Sequence, residues 1–482
     1  MAAVGGVLAA VAAGAQSFEP ALDLTTPGTR GDNADVATDG RGNVVVTWWI
    51  DNDDSPFGRD ADVVLARSTD GGATWSAPAL IDPAAASDSV GTGEVLPRIL
   101  TDGQGTWLAL WVRWLSAGPS NPDGVFAARS IDAGATWSRP VRLGAVGDAG
   151  GQLLSNNGRL AACSDGRGTW LVVVPQDGAA QIARSVDGGQ TWGTEAAPTG
   201  LIALASCERR PVGLIATALD GSTPSELRAV RAGADGRFAG SASVLIDRRE
   251  SFNDHARATL AADPAGRLVA TWRVDQQIFA ASSADGATWS PPTALPTPSG
   301  FVFNGAAPFV ANGGVGRWLI LWGGPRPRDN VLASTDGQTW AQTGSRDGWY
   351  HAVTPDGAGG WMAVWQTSLT KQVFFAHARG EAGPPPTGPC EGLRCRLQET
   401  LATACPGVKL PARLRKDIEG LVNLAERAAA ANTAKQQKLL AKRVQRRLKA
   451  VRAAIARHGR RRHPKVPGAC GQALVVTLSA AS

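Results

Sequence analysis

The chain has 482 residues, of which 43% are apolar and 19% charged, with 58 Gly, 30 Pro and 17 Trp against a single Tyr. So large an apolar fraction excludes a disordered chain, and the frequent Gly and Pro favour a sheet-rich protein with many turns. The net charge of +6 is uneven: residues 390–482 hold 20 Lys/Arg and 5 Asp/Glu, a balance of +15, which leaves −9 (6 minus 15) for the rest. This abrupt change predicts a domain boundary close to residue 390.

The N-terminal residues 2–15 form an apolar run that ends in Ala-Gly-Ala before Gln16. The run is too short to span a bilayer comfortably but suits the core of a signal peptide with an A-x-A cleavage site. No Lys or Arg precedes it, which leaves a disordered Ala-rich start as the alternative. Together with six Cys, an even number that suits an oxidising compartment, the run predicts a signal peptide at residues 1–15 and a secreted or surface-associated bacterial protein.

A short pattern recurs along the next 300 residues or so. Ser-x-Asp-x-Gly-x-Thr-Trp occurs at residues 68–75, 130–137 and 185–192, and a version one residue shorter occurs at 283–289 and 334–340. Asp and Ser can hydrogen-bond to nearby backbone N–H groups, Gly supplies a positive φ, and Trp covers the turn, so each copy predicts a hairpin turn. These copies resemble the Asp boxes, or BNR repeats, of the sialidase superfamily, in which the boxes are structural.

Each box lies in a larger unit of four short antiparallel strands, with the box between the third and fourth strands; such a unit is one blade of a β-propeller. The seventh unit lacks a fourth strand, but residues 17–24 resemble the fourth strands at 76–81 and 138–143 and can complete it. We therefore predict an all-β, seven-bladed β-propeller over residues 16–380 that is closed by an N-terminal strand, with six blades as the alternative. The predicted first strands begin close to residues 34, 97, 159, 201, 257, 307 and 350.

Two isolated cysteines fit this arrangement. Cys163 and Cys207 end the first strands of the third and fourth units. Equivalent inner positions of adjacent blades can come close enough to bridge, which predicts a disulfide, and two buried free thiols are the alternative.

The resemblance to sialidases also implies a catalytic site. Those enzymes have six blades and use three Arg for the substrate carboxylate, a Tyr nucleophile activated by Glu, and an Asp acid–base. Tyr350 lies in the first strand of the last blade, where that family keeps its nucleophile, and Asp51, Asp53 and Asp54 lie roughly where it keeps the acid–base. If the chain is sialidase-like, the implied catalytic residues are Tyr350, Asp54, Arg98, Arg257 and Arg328, with Arg326 as the alternative to Arg328.

The match to that site is incomplete. No Phe/Tyr-Arg-Ile-Pro motif opens the first blade, and His255 and Arg257 stand where the family's Glu is expected, while Glu250 lies too far upstream. Without such a base a tyrosine hydroxyl ionises only near pH ~10 and is a poor nucleophile. Arg98, Arg159, Arg257 and Tyr350 fall an even number of residues before their turns and so share one strand face, where packing or ion-paired channel residues are the alternative to catalysis.

Signatures of other chemistry are missing. The sequence contains no HExxH, no P-loop and no GxSxG, and its five His have no convincing ligand spacing. We expect neither a metal nor a cofactor.

After a Pro/Gly-rich linker at 381–389 the period of the sequence becomes helical. One apolar stripe runs from Leu410 to Ala425 and a second from Leu440 to Ile455, with Asn432-Thr433 between them. Residues 390–482 are therefore predicted to form a helical hairpin with two antiparallel helices of about 20 residues each. Four Cys allow three pairings, of which Cys405–Cys470 is favoured, with Cys390–Cys395 as the second pair.

The second helix is strongly basic, with seven cations between Lys438 and Arg452 and a further Arg460-Arg461-Arg462. On an exported protein this favours contact with an anionic polymer or a membrane surface, whereas nucleic acid is disfavoured because the tail has no aromatic residue. We predict a non-catalytic glycan- or protein-binding module at the cell surface, and a sialidase-like exo-glycoside hydrolase with an atypical site is the alternative.

Overall fold

The computed structural model divides the chain into two compact units, Met1–Ala382 and Gly383–Ser482. Among the described residues, the first unit contains all the strands and the second contains two α-helices. The structure describes residues 18–26, 29–51, 61–87, 93–114, 122–147, 159–176, 180–208, 210–217, 225–249, 257–275, 277–296, 308–314, 316–322, 329–346, 349–367, 371–378, 411–429 and 434–459.

The first unit is a seven-bladed β-propeller of seven four-stranded antiparallel sheets. In blades 1 to 6 the four strands follow one another in sequence. Blades 1 to 3 contain β2 (Arg30–Thr38), β3 (Val44–Asp51), β4 (Asp62–Ser68) and β5 (Ala79–Leu80); β6 (Gly93–Thr101), β7 (Trp107–Trp114), β8 (Pro122–Ser130) and β9 (Val141–Gly144); and β10 (Ala162–Ser164), β11 (Trp170–Pro175), β12 (Ala180–Ser185) and β13 (Gly193–Ala197).

Blades 4 to 6 repeat the same order. Their strands are β14 (Leu201–Ala205), β15 (Val212–Ala216), β16 (Ser225–Arg231) and β17 (Ser243–Arg249); β18 (Thr259–Ala262), β19 (Leu268–Val274), β20 (Gln277–Ser283) and β21 (Thr293–Ala294); and β22 (Phe309–Asn312), β23 (Trp318–Trp322), β24 (Asp329–Ser334) and β25 (Ala341–Arg346). A short 3-10 helix, Pro83–Ser87, follows blade 1.

The last blade is closed by the N-terminus, as the sequence predicts. Blade 7 contains β26 (Trp349–Pro355), β27 (Trp361–Gln366) and β28 (Val373–Ala378), and its fourth strand is β1 (Leu22–Asp23). Leu22 pairs with Phe375, and the backbone N–H of Glu19 donates to the carbonyl of His377 at 2.8 Å. Both the seven-blade count and the N-terminal closing strand are confirmed, and the six-blade alternative is excluded.

The core lies between the blades. The second strands are continuous apolar runs, and every residue of β11, β23 and β27 is buried. Because each sheet packs against a blade on either side, both faces of its central strands need apolar side chains, which explains runs instead of alternation. The first strands of neighbouring blades contact one another and surround the central channel.

Each Asp box closes its turn with the same local hydrogen bonds. In the first box, Asp70 Oδ1 accepts from the Thr74 backbone N–H at 2.9 Å and from the Ser68 hydroxyl at 2.7 Å. Gly71 and Gly72 both have positive φ, and a Cβ on Gly72 would lie 2.6 Å from the ring of Phe375 in blade 7. Glycine at position 72 is therefore required both by the backbone and by the adjacent blade.

The predicted disulfide is present between Cys163 and Cys207, whose Cα atoms are 6.1 Å apart. Cys163 lies in β10 of blade 3 and Cys207 follows β14 of blade 4, so the bond links two neighbouring blades close to the channel. Both half-cystines pack against the apolar cluster between these blades.

The second unit is the predicted helical hairpin. Helix α1 (Ala412–Ala429) and helix α2 (Ala434–Gly459) contact each other along their apolar stripes. Gly420 allows close approach, because a Cβ at this position would lie 2.2 Å from the guanidinium of Arg447. Leu410 and the four C-terminal cysteines, with their predicted pairings, lie outside the described residues. The apolar residues buried on helices α1 and α2 are Leu414, Ile418, Leu421, Val422, Val444, Leu448, Val451, Ala454 and Ile455. Within the part of the chain that the structure describes, no helix is both long and apolar enough to cross a membrane.

Candidate functional site

The first strands have an equivalent position, three residues before the residue that pairs with the start of the second strand, and its chemistry differs from blade to blade. In blades 1 and 2 it holds charged residues, Asp35 and Arg98, which pair with Thr47 and Leu110. In blades 5 and 6 it holds Thr259 and Phe309. The position is therefore polar in blades 1, 2 and 5, aromatic in blade 6, and apolar in blades 3, 4 and 7, where it holds Ala161, Ile202 and Ala352.

Asp35 is the centre of a buried ion-pair cluster. It is only 2% exposed, and its Oδ1 lies 2.6 Å from Nη2 of Arg159, which precedes β10 of blade 3. Its Oδ2 accepts a hydrogen bond from the backbone N–H of Ile99 at 3.0 Å and lies 4.0 Å from Nε of Arg98. A guanidinium N–H of Arg98 also donates to the carbonyl of Leu160. The cluster thus ties blades 1, 2 and 3 together beside the channel.

The electrostatics of the cluster are those of two cations that share one anion. Burial and then the positive charge of Arg159 lower the pKa of Arg98 to about 9, although Asp35 acts in the opposite direction. Arg98 therefore remains a cation at neutral pH, and the cluster carries one net positive charge. A guanidinium group stays protonated near neutral pH, so the two arginines can bind or stabilise negative charge but do not act as general acids or bases.

An aromatic ring from blade 6 completes the site. The guanidinium carbon of Arg159 lies 4.4 Å from the centre of the Phe309 ring, a cation–π contact between residues of blades 3 and 6. Next to Phe309, the Thr259 hydroxyl donates to the carbonyl of Pro308 at 2.8 Å and lies 2.9 Å from the Thr271 hydroxyl.

Two further carboxylates are held by tryptophan and arginine. Glu94, at the start of β6, accepts from Nε1 of Trp111 at 2.9 Å and lies 3.8 Å from Nε of Arg113. Asp247, close to the end of β17, accepts from Nε1 of Trp272 at 2.8 Å and from Nε of Arg249 at 3.0 Å. Both carboxylates are thus bound to neighbouring side chains of the propeller.

The structure brings together only part of the site that the sequence implied. Arg98 and Arg159 both contact Asp35, and Arg257 is half-buried two residues before β18. Tyr350 is the second residue of β26 and pairs with Trp365, and its side chain lies outside the described residues.

The remaining candidates of the implied catalytic site lie elsewhere. Asp51 is the last residue of β3. Asp53, Asp54, Glu250, His255, Arg326 and Arg328 lie outside the described residues.

Asp35 and Phe309 are the site residues that the sequence reasoning missed. Asp35 lies four residues before the turn residue Asp39, as Arg98 lies four before Asp102, so the same count that selected Arg98 would have found it. Phe309 carries no motif, and only the closure of the ring places it against Arg159. Within the described ranges, no group of three or more His, Cys, Asp or Glu is arranged to hold a metal ion.

Comparison with known proteins assigns the family. Residues 55–345 match a family model described as a BNR repeat-like domain. Because the match covers more than half of the 482 residues, the chain belongs to the BNR repeat-like domain family, and its predicted membership of the Asp-box propellers is confirmed. No curated protein matches the chain.

Several solved structures are similar to the chain at low identity. A Dyadobacter fermentans protein of unknown function is 16% identical with a TM-score of 0.44, over 76% of this chain and 99% of that one. An alpha-L-arabinanase of Penicillium chrysogenum, solved with arabinobiose, is 14% identical with a TM-score of 0.45, over 75% and 98%. The NanB sialidase of Streptococcus pneumoniae is 12% identical with a TM-score of 0.42, over 75% and 70%.

Proposed function

We propose that the protein is an exported, non-catalytic Asp-box propeller that binds a glycan or a protein at the cell surface. The observation that carries this proposal is the Asp35 cluster. A sialidase needs guanidinium groups that are available to a substrate carboxylate, but here Arg98 and Arg159 are held by an internal carboxylate and by the carbonyl of Leu160.

The energetic consequence favours a structural role for the channel arginines. A substrate carboxylate could replace Asp35 only if the buried ion pair were broken, and an uncompensated buried charge costs about 3–5 kcal/mol. The contact of Arg159 with Phe309 further fixes its guanidinium. The Asp35 cluster therefore stabilises the packing of the blades and does not offer free arginines to a substrate carboxylate.

Export is supported by the disulfide. Structural disulfides persist in oxidising compartments and are rare in the cytosol of mesophiles, so the Cys163–Cys207 bond favours a secreted or surface-associated protein. The predicted signal peptide at residues 1–15 is consistent with the same location and is tested by N-terminal sequencing of the mature protein.

The second candidate function is a sialidase-like exo-glycoside hydrolase. It is favoured by the position of Tyr350 in the first strand of the last blade and by the cation Arg98 at the channel. In this candidate Tyr350, Asp54, Arg98, Arg257 and Arg328 would form the active site.

A fluorogenic α-sialoside separates the two candidates. We expect wild type and Tyr350→Phe to release fluorophore at the same background rate, because the proposed module has no nucleophile to lose. Release by wild type that Tyr350→Phe abolishes would contradict the non-catalytic proposal and establish the hydrolase. A binding screen of immobilised glycans and cell-surface extracts then identifies the partner.

The helical hairpin supplies a second contact in this proposal. Seven exposed cations lie on helix α2 and that helix contains no acidic residue. Such a surface favours anionic polymers or anionic membranes through long-range attraction. We expect the full chain to bind anionic polysaccharide or anionic vesicles at low salt, with binding that weakens as salt rises. The cations are Lys442, Arg443, Arg446, Arg447, Lys449, Arg452 and Arg457.

A further inference from the structure

The Asp boxes differ in length and in the hydrogen bonds that the indole N–H groups of their tryptophans make. In the eight-residue boxes of blades 1 and 2, the indole N–H groups of Trp75 and Trp137 donate to a glycine carbonyl of the same box, at 3.0 and 3.2 Å. In the seven-residue boxes of blades 5 and 6, the buried Nε1 atoms of Trp289 and Trp340 have no hydrogen-bond partner among the described residues. The glycine three residues before each of these tryptophans, Gly286 or Gly337, is retained, but its carbonyl does not accept a hydrogen bond from the indole.

A second difference concerns the junction between consecutive boxes. In blades 2 and 3 the residue before the box serine is an arginine that bridges to the next box. Arg129 Nε donates to the carbonyl of Gly188 at 2.6 Å, and Arg184 Nη2 donates to that of Gly236 at 2.7 Å. The equivalent residue of blade 5 is Ser282, which is too short to reach the box of blade 6.

These two differences coincide at one open groove. It has a volume of about 440 Å³ and lies between the boxes of blades 5 and 6. Small-molecule sites usually occupy ~300–1,000 Å³, so this groove can hold a small ligand. The residues that matter for recognition are Arg267, Ser282, Trp289, Trp318, Asp336 and Gln338.

The lining combines aromatic and polar groups. Trp289 is partly exposed, whereas Trp318 is 2% exposed, and its indole N–H likewise lacks a hydrogen-bond partner within the described ranges. Ser282 offers a hydroxyl and the exposed Gln338 an amide, groups that both donate and accept hydrogen bonds. A ligand that matches this lining needs an apolar face for the indole and several hydroxyl groups for the rim.

The charges of the groove disfavour an anion. Arg267 Nε is 2.7 Å from Oδ2 of Asp263, so these two charges cancel. Against the opposing effect of partial burial, hydrogen bonds from the backbone N–H groups of Thr339 and Gln338 lower the pKa of Asp336 to about 2. Asp336 is therefore anionic at neutral pH, and the groove carries one net negative charge.

We propose that this groove between the boxes of blades 5 and 6 is a binding site for a neutral saccharide. A pyranose or furanose ring offers one apolar C–H face to Trp289 and hydroxyl groups to Ser282, Gln338 and Asp336. This inference deepens the glycan-binding proposal and rests on it. None of the groove residues belongs to the Asp35 cluster. The saccharide site in the groove and the structural role of the Asp35 cluster can therefore be tested separately.

The test uses a substitution that the propeller itself already accommodates. Ser282→Arg introduces the residue that blades 2 and 3 have at this position and should fill the groove while preserving the fold. We expect it to weaken saccharide binding by about tenfold or more. Gln338→Ala should weaken binding by about fivefold, the effect of one neutral hydrogen bond. The matched control is Gln190→Ala, which changes the same type of box residue in blade 3 and should have no effect.

Binding is measured by saturation-transfer NMR and by the indole N–H signals of the full chain. The probes are neutral trisaccharides of glucose, galactose, mannose, N-acetylglucosamine and arabinose, with trigalacturonic acid and 3′-sialyllactose as anionic counterparts. Thermal unfolding of every variant checks that its fold is retained.

Each outcome decides between the assignments. Binding of a neutral trisaccharide that Ser282→Arg abolishes and Gln190→Ala retains supports the groove. If neutral saccharides bind wild type and Ser282→Arg equally, the groove is not their binding site, but the glycan-binding proposal stands. A preference for the anionic probes overturns the assigned ligand class. If no saccharide binds wild type, both the groove and the glycan-binding proposal are wrong.

Discussion

Two aspartates from different parts of the propeller show how the same side chain is used in two ways. Asp132, in the box of blade 2, accepts hydrogen bonds from the Thr136 backbone N–H and the Ser130 hydroxyl, all within one turn. Asp35, beside the channel, accepts from the backbone N–H of Ile99 in another blade and pairs with Arg159 from a third. One carboxylate has local partners and the other has partners from distant parts of the chain.

The difference explains why one feature repeats and the other does not. The hydrogen bonds that close a box come from its own seven or eight residues, so the turn can be copied from blade to blade. The Asp35 cluster needs Arg98 and Arg159 as well, so it exists only once blades 1, 2 and 3 have packed together. We therefore expect substitutions at the channel to have larger and more cooperative effects than substitutions in the boxes.

The largest effect is expected for Asp35→Ala. This substitution leaves two guanidinium groups, 19% and 20% exposed, without their shared anion, and we expect it to lower the free energy of unfolding by about 3 kcal/mol, the lower end for a buried pair. Urea denaturation measures the loss. In the Asp35→Ala background, Arg98→Met should restore part of it because the second buried charge is then removed; if it lowers stability further, the cluster does not act as a charge pair.

The second largest effect is expected for the interblade disulfide. Replacement of Cys163 and Cys207 by Ala should lower the free energy of unfolding by about 2–4 kcal/mol, because the unfolded chain loses a cross-link. The thermal midpoint of the double variant should match that of wild type under reducing conditions. An unchanged midpoint in both cases would show that the bond contributes nothing to ring stability.

A smaller effect is expected for the box substitution Asp132→Ala. It removes hydrogen bonds from a turn that remains open to solvent, so the cost should be about 1 kcal/mol. Combined with Asp35→Ala, its effect should simply add, since the two sites share no partner. A strongly non-additive double variant, measured by urea denaturation, would show that boxes and channel are coupled.

The smallest effect is the acid dependence of a single box. Hydrogen bonds from the backbone N–H groups of Thr288 and Ala287 lower the pKa of Asp285 to about 2, from an ordinary value of 3.8. A depressed pKa stabilises the fold above the ordinary value, and this contribution is lost as the pH falls from about 4 towards 2. For this exposed turn we expect less than about 1 kcal/mol.

Asp285→Asn should remove that part of the acid dependence without affecting stability at higher pH as strongly as Asp35→Ala does. The measurement is the urea midpoint between about pH 6 and about pH 2. Identical acid dependence in wild type and Asp285→Asn would show that the lowered pKa of Asp285 does not contribute to stability.

The fold was largely predictable because its signals are local. Each box identifies its own turn, and each second strand is a continuous apolar run, so seven units and their order could be counted along the chain. Even the closing strand could be predicted, since residues 17–24 resemble the fourth strands of other blades. The Cys163–Cys207 bond followed from equivalent positions in adjacent units.

The candidate site was predictable only in part. Arg98 could be selected by its distance from a turn, but no sequence pattern shows that Asp35 lies beside it or that Phe309 stacks on Arg159. Nor does any motif mark the groove between the boxes of blades 5 and 6, which is lined by Ser282 where blades 2 and 3 have an arginine. The ion-pair and cation–π contacts of the Asp35 cluster join residues that are 63 (Arg98 minus Asp35) to 150 (Phe309 minus Arg159) positions apart.

The sequence by itself determined the turns, the strands, the blade count and the amphipathic helices, because hydrogen bonds within a box and the period of apolar residues depend on neighbours along the chain. Only the tertiary structure decided which charges meet in the channel and where a groove stays open. Ring closure brings distant first strands together, and whether an arginine is available to a ligand or held by Asp35 depends on that juxtaposition. The physical reason is that burial and pairing, which set the energy of a charge, are properties of the packed molecule.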